Sequence, residues 1–597
     1  MSNFLGNKTL WRNGLFIAIA LAFALMLHGA VPFYLAPTLG QAVWTTGFAQ
    51  SFLNDSLFSI YAYNIGAPEP AAIAFGLPGA WLTALYLKMG LLAPDAYAAM
   101  IATWMSASFF AAYGMARHFA ASSLAATMAA FCWLTMPMTW AHASYSMLST
   151  GIGLLPLYFL FTVKIFSEKT SGGPKSASAH RLWYFLYPAV CVISLFMDGY
   201  SFVMFAVGAS ILALWLLLTN KDKQRMKQRL SAFSLHFISL GFACLLYLNY
   251  VGSSGFAPSP IDFFRGWGAD LMFILVPTKG MHWIPDIAGW SVHRSGNRFF
   301  GDASVWKTSF SIGLIIPAAW AAIRLVRKEK MAVGLLLVAF VGFYMSLGPS
   351  FKFNSVKPED VQIGPMMPEE YAIAPTGTAI LSKSIPGFKS MRASYRWGAL
   401  GVFGAWGLLV LSVSGVKEKI TVPGAIFLLI AVPLIHLPNL PEKVKQDITH
   451  RKMFLQLEDE WIGVLRQDLH QGERVVFLPW RNDFLVNYAA SAIDVEAFNI
   501  GGDKNFAEAR KHWPKTLQNF SMGLVDPGFS QRVRQVLSEQ IADVVVLPFI
   551  DLLWAAHRWP YPVQFKEQLA PVIAQLKFAG GVQIKERETY ATVRLSP

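Results

Sequence analysis

Residues 75–92 read Phe75-Gly-Leu-Pro-Gly-Ala-Trp-Leu-Thr-Ala-Leu-Tyr-Leu-Lys-Met-Gly-Leu-Leu92, and whether this stretch crosses a bilayer decides the map of the whole chain. By hydropathy it is a candidate span. Eleven other apolar runs are long enough to cross a hydrocarbon core: 14–35, 96–116, 120–140, 147–166, 182–198, 200–219, 233–251, 307–325, 331–349, 397–415 and 420–437. The arbiter is charge, because short basic loops collect on the cytoplasmic side. The basic clusters are Lys8/Arg12, Arg117/His118, the linker 164–181, the runs 221–229 and 324–330, and Lys417/Lys419. If 75–92 spans, Lys8/Arg12 lie opposite every later cluster; if it lies flat in the outer interface, all six share one side. Pro78, Gly79, Lys88 and Gly90 suit the flat arrangement, so about eleven spans are expected.

Composition agrees with a bilayer as the main solvent. The chain is 54% hydrophobic and 14% charged, with a mean hydropathy of +0.42. A formal net charge of +14 would suggest nucleic acid in a soluble protein. Here the cations flank apolar runs and report topology, so no nucleic-acid partner is expected. Cys132, Cys191 and Cys244 each lie inside an apolar run without metal-ligand or disulfide spacing. The first span is too long for a signal-peptide core and is read as retained.

This topology puts three loops outside, 36–95, 252–306 and 350–396, with the short turns at 142–145 and 198–200 and the tail after Pro438. The expected division is a membrane domain over 1–438 and a soluble periplasmic α/β domain over 439–597. Within that tail, β-like runs at 474–478, 543–547 and 589–595 alternate with helical patterns at 452–469, 531–541 and 563–577. Gly501-Gly502-Asp503 reads as a turn, not a phosphate loop. The segment 170–178 is a flexible linker.

In its first quarter the chain resembles the GT-C superfamily of polytopic glycosyltransferases, which includes the protein O-mannosyltransferases and the aminoarabinose transferases of lipid A. The matching residues are Gly79-Ala-Trp-Leu-Thr-Ala-Leu-Tyr86, then Gly90, then Tyr113-Gly-Met-Ala-Arg-His118. It also resembles a group of bacterial membrane proteins with Ser346-Leu-Gly-Pro349 followed by an Arg-x-x-x-Arg pair, here Arg392 and Arg396. The resemblance covers roughly residues 1–440. It implies a polytopic α-helical fold with a large first outer loop that carries an acidic catalytic residue. Where the family commonly places that acid, shortly after the first span, this chain has Gln41.

Transfer on the outer face of a bacterial inner membrane requires a sugar delivered on a polyprenyl phosphate. Direct displacement then needs a carboxylate to take the proton of the attacking hydroxyl and cations to hold the departing phosphate. Asp55, in Leu53-Asn-Asp-Ser56, is the first candidate base and Glu69 the second, with a helix cap as the plain alternative for Asp55. Arg392 and Arg396 are four apart and, on a helix, would face one way where a span meets the outer interface. Interfacial snorkelling explains them equally. Asp198, in Phe196-Met-Asp-Gly-Tyr200, is an ionisable group at the end of a span, or a simple Asp-Gly turn. His142 and Tyr145 lie at another outer turn and fit either a site or an aromatic belt. In the 252–306 loop, Asp262, Arg265, Trp267, Trp283, Asp286, Trp290, His293 and Arg294 suit sugar binding, although an interfacial belt has the same composition. No metal motif appears in the outer loops, and no cofactor is expected.

The expected protein is therefore an inner-membrane glycosyltransferase that moves a sugar from a polyprenyl-linked donor to an envelope glycan or a lipid such as lipopolysaccharide. A transporter or flippase would favour opposed repeats and paired intramembrane charges. A noncatalytic polysaccharide-assembly protein would tolerate loss of Asp55, Glu69 and the arginine pair.

Overall fold

A computed structural model describes residues 2–142, 147–166, 174–219, 223–252, 259–359, 364–413 and 422–596. Tyr145, the first part of the 170–178 linker, and Lys417 and Lys419 lie outside the described residues.

Among the described residues, and against about eleven expected, five helices are long and apolar enough to cross a membrane: Ala93–His118, Leu148–Phe166, Gly199–Leu218, Met226–Val251 and Ser394–Val413. A sixth is reached if Phe427–His436 and Leu440–Leu465, bent by 55°, count as one broken span. Of the remaining expected runs, those at 14–35 and 182–198 lie in the longer helices Ser2–Leu27 and Pro174–Met197, and the others form helices of 12–17 residues. At 1.5 Å per residue the shorter of these reach only about 18–26 Å against a core about 30 Å thick. Hydropathy sees apolar content and cannot see where Pro, Gly or a side-chain bond ends a helix. The 75–92 stretch folds as the 12-residue helix Leu77–Lys88, opened by Gly76 at φ 101° with Pro78 in its first turn. Its length of about 18 Å is too short to cross.

The chain divides into two compact units. The first comprises Met1–His28, Ala102–Tyr247 and Ala257–Val444. It is mainly helical, and its closest helix pair is Lys330–Ser346 against Gly398–Val413. All sixteen residues of the latter are buried. Glycine permits the approach: a Cβ on Gly342 would lie 2.1 Å from the Gly401 nitrogen, and one on Gly404 2.5 Å from the Ala339 nitrogen. Backbones this close gain dispersion contact that side chains would prevent.

The second unit comprises Gly29–Ile101, Leu248–Phe256 and Lys445–Pro597. Its sheet is built from β1 (Arg474–Phe477), β2 (Glu496–Ala497), β3 (Val544–Pro548), β4 (Val582–Glu586) and β5 (Tyr590–Leu595), in the order β2-β1-β3-β5-β4. All five residues of β3 are buried, which is why its sequence is an unbroken apolar run and not an alternation. It pairs in parallel with β1 and antiparallel with β5. Helix Phe529–Ser538 buries Phe529, Val533, Val536 and Leu537, a single stripe at helical spacing, on one core with Val476, Val545 and Val593.

The expected linear boundary at 438/439 lies near a unit boundary at 444/445, yet residues 29–101 group with the tail. Helix Gly40–Asp55 has twelve of its sixteen residues buried. It packs on Phe484–Ile493, where a Cβ on Gly47 would lie 2.4 Å from the Asn487 carbonyl oxygen. Residues 64–67 run beside β2: the Ala497 N–H donates to the Asn64 carbonyl at 2.9 Å and the Ala67 N–H to the Ala497 carbonyl at 3.1 Å. The segment 64–67 thereby extends the sheet edge. Asp95 adds an ion pair within the same unit, accepting both Nε and Nη2 of Arg451 at 2.8 Å and the Phe33 N–H at 2.7 Å.

Candidate functional site

Several separate stretches of the first unit meet around Arg396. The segment before helix Gly398–Val413 is drawn out of helical form by two distant acceptors. The Tyr395 N–H donates to the Trp267 carbonyl at 2.8 Å, and the Ala393 N–H to the Tyr200 hydroxyl at 3.3 Å. Ser394–Trp397 makes a 3₁₀ turn, as Phe388–Ser390 does before it. Arg392 and Arg396 therefore do not share one helix face as the spacing suggested. The Arg392 guanidinium lies over Phe263 at 5.2 Å from the ring centroid, and that of Arg396 over Tyr200 at 4.5 Å.

Arg396 is the more firmly held. Its Nε donates to the Tyr395 hydroxyl at 3.3 Å, and that hydroxyl donates in turn to Ser304 Oγ at 2.8 Å. The His142 ring packs on the Tyr395 ring with centroids 5.5 Å apart. Burial first, and then the charge of Arg396, hold the His142 imidazole well below its usual range. It is a neutral ring at physiological pH.

Asp198, 1% exposed, is the N-cap of helix Gly199–Leu218 and accepts the Ser201 N–H at 2.7 Å. It is thus a cap at the one-residue junction between helix Pro174–Met197 and helix Gly199–Leu218. It lies close enough to Arg396 that each feels the other's charge. Gly151 permits the packing there, since a Cβ on it would sit 2.3 Å from Ser201 Oγ.

The cluster thus joins a guanidinium set among tyrosine rings, a buried carboxylate and a neutral imidazole. A planar guanidinium fixed in this way suits an oxyanion such as phosphate. Its two tyrosines, Tyr200 and Tyr395, were not singled out from sequence, although each lies within two residues of a residue that was.

Much of the 252–306 loop builds the loop itself. Arg265 pairs with Asp262 and Glu369, the latter at 2.5 Å. Trp267 stacks on Phe263 at 3.9 Å and donates its indole N–H to Asp302 at 3.0 Å. Arg294 donates to Thr278 Oγ1 at 2.8 Å, and Asp286 accepts the Gly280 N–H at 3.0 Å. Trp283 and Trp290 stay exposed. The buried Lys352 ammonium donates to the Arg265 and Gly268 carbonyls and so braces the turn from which Tyr395 hangs. Burial brings its pKa down to about 7 against the pull of Asp270.

Asp55 and Glu69 belong to the second unit, whereas Arg392 and Arg396 belong to the first. Asp55 is the exposed last residue of helix Gly40–Asp55, with Asn54 beside it tied to the Ser491 carbonyl at 2.8 Å and to Asp494 at 3.0 Å. Glu69 is exposed on the rim of an open cavity of about 250 Å³. Gln41 is 2% exposed inside its helix and donates to Thr45 Oγ1 at 3.0 Å. No group of three metal-ligating side chains occurs among the described residues.

No family model and no curated protein matches the chain. Solved structures do. Apo ArnT from Cupriavidus metallidurans aligns over 98% of this chain and 98% of its own, with a TM-score of 0.51 at 12% identity. The fold is of the GT-C type. The arabinofuranosyltransferase AftD from Mycobacteria aligns over 97% of this chain and 40% of its own, with a TM-score of 0.53 at 12% identity. The same Cupriavidus metallidurans ArnT bound to undecaprenyl phosphate gives 0.49 at 13% identity, over 98% of each chain.

Proposed function

We propose that this GT-C chain is a glycosyltransferase of a bacterial inner membrane. It moves a sugar from a polyprenyl-phosphate donor to an envelope glycan or lipid on the periplasmic face, where the 439–597 tail also lies. The observation that carries the reading is the setting of Arg396: a guanidinium over the Tyr200 ring and bonded to the Tyr395 hydroxyl, beside buried Asp198, in a fold shared with ArnT. ArnT has been seen with undecaprenyl phosphate, a ligand whose charge asks for such a cation.

In this mechanism the acceptor oxygen attacks the anomeric carbon as the bond to the carrier phosphate breaks. Arg396, with Arg392, neutralises the phosphate as it leaves and is already oriented when charge develops there. The candidates for the base that takes the proton of the attacking hydroxyl are Asp55 first and Glu69 second. His142 supports Arg396 by packing on Tyr395, and because it is neutral it adds no repulsion.

The test is replacement of Arg396 by Ala, Asp55 by Asn and Glu69 by Gln, one at a time, in the native host, with envelope glycans profiled by mass spectrometry. Arg396→Ala is expected to cut transfer by about 10²-fold or more, the scale of losing one charge-stabilising donor. Envelope glycans that stay unchanged in every variant still present at normal level would overturn the reading, leaving a transporter or a noncatalytic assembly factor.

A further inference from the structure

The second unit contains an open cavity of about 250 Å³ that the transferase reading leaves without a role, apart from Glu69 on its rim. Three parts of the chain wall it: the two-residue ladder Tyr61–Ala62 with Ala71–Ala72, the carboxyl end of helix Lys223–Val251, and helix Asp503–His512. All three belong to one unit. Each wall is fixed to another. The buried Tyr250 hydroxyl accepts the Ile73 N–H at 3.0 Å and donates to the Ile60 carbonyl at 2.5 Å. Asn505, 8% exposed, spends its amide donor on the Ala72 carbonyl.

The lining is specific in its chemistry. Tyr61 and Tyr250 stand with ring centroids 5.2 Å apart, and Tyr61 is only half-buried. Around them are Glu69, Glu508, Asn505 and His512. Aromatic faces meet the C–H faces of a pyranose, while carboxylates and amides accept from its hydroxyls. Glu508 is itself paired with Lys511 at 2.5 Å and lies 3.8 Å from His512, and the described lining offers no Lys or Arg that would hold a phosphate. The ligand class that remains is a neutral saccharide, and the volume suits one or two of its rings.

We propose that this cavity of the second unit binds the neutral saccharide portion of the acceptor. The word acceptor rests on the transferase reading; saccharide binding does not. The full-length chain in detergent is titrated with cellobiose, maltose and N,N′-diacetylchitobiose by saturation-transfer NMR and calorimetry, with inorganic phosphate as competitor. At least one disaccharide should bind. Tyr61→Ala and Glu508→Gln should each weaken it by about tenfold, Tyr61→Phe should retain it, and phosphate should not compete. Arg396→Ala should bind as tightly as the parent chain, so loss of transfer in that variant reports on the other site alone. Binding of none of the disaccharides, binding indifferent to Glu508→Gln in a variant of unchanged melting temperature, or displacement by phosphate would each overturn the proposal.

Discussion

Asp483 follows β1 in the second unit, 2% exposed, accepting the Arg481 N–H at 3.1 Å and Asn499 Nδ2 at 2.6 Å. Burial above all, with the nearby Asp551 carboxylate adding to it and Arg481 opposing, lifts its pKa to about 6. An aspartate in the unfolded chain titrates near ~3.9. The folded form therefore keeps a proton that the unfolded form has lost. Stability from this group is fully present below about pH 4 and declines as pH rises toward about 6, by up to about 3 kcal/mol. Thermal unfolding followed between pH 4 and 7 should show that decline, and Asp483→Asn should flatten it; an equal slope in the variant would assign it elsewhere. At this scale the sequence was readable where an ionisable group stood against apolar neighbours, as with Asp198, His142 and Arg396, because such a group is costly unless it is used or paired. Tyr200 and Tyr395 were hidden, since tyrosine near a span already has an explanation in the interfacial belt. The Asp95–Arg451 pair was invisible for another reason: its partners are 356 residues apart, and no local pattern joins them.

Among elements, the glycine-spaced contact of Lys330–Ser346 with Gly398–Val413 leaves no room for a side chain. A Cβ at Gly401 would lie 2.7 Å from the Phe343 ring, and one at Gly342 would strike the Gly401 backbone itself. Gly342→Val is expected to destabilise the first unit by about 1–3 kcal/mol, read as a lower melting temperature in detergent. Gly241, with nothing within 4 Å, should tolerate Ala. An equal loss in both variants would mean that the close packing at Gly342 was not what was being measured. The strands at 474–477 and 544–548 were legible because buried parallel strands need continuous apolar runs. The arginine segment was not. Spacing of four promised one helix face, but hydrogen bonds to the Trp267 carbonyl and the Tyr200 hydroxyl, both far off in sequence, outcompete the local helical turn.

At the scale of the whole molecule, the second unit is assembled from three distant pieces of chain, and its sheet edge is extended by residues 64–67. A fragment of residues 439–597 should therefore be less stable than the same residues in the full chain, because Phe484–Ile493 loses its cover and β2 its neighbour. Fusing residues 29–101 to that fragment by a flexible linker should raise its melting temperature. An isolated tail that melts as high as the fusion would show that residues 29–101 add nothing to it. Linear reading could not foresee the grouping of 29–101 with the tail, since hydropathy and turn signals describe neighbours along the chain.

The Asn54 amide and the Ser491 carbonyl that it reaches are 437 residues apart. A ribosome adding about 5–20 residues per second makes the first of them on the order of tens of seconds before the second. Throughout that interval helix Gly40–Asp55 has no Phe484–Ile493 to rest on. A holding chaperone that engages this segment during biosynthesis would relieve the exposure, and its depletion should appear first as proteolytic cuts within residues 29–101 of the nascent protein.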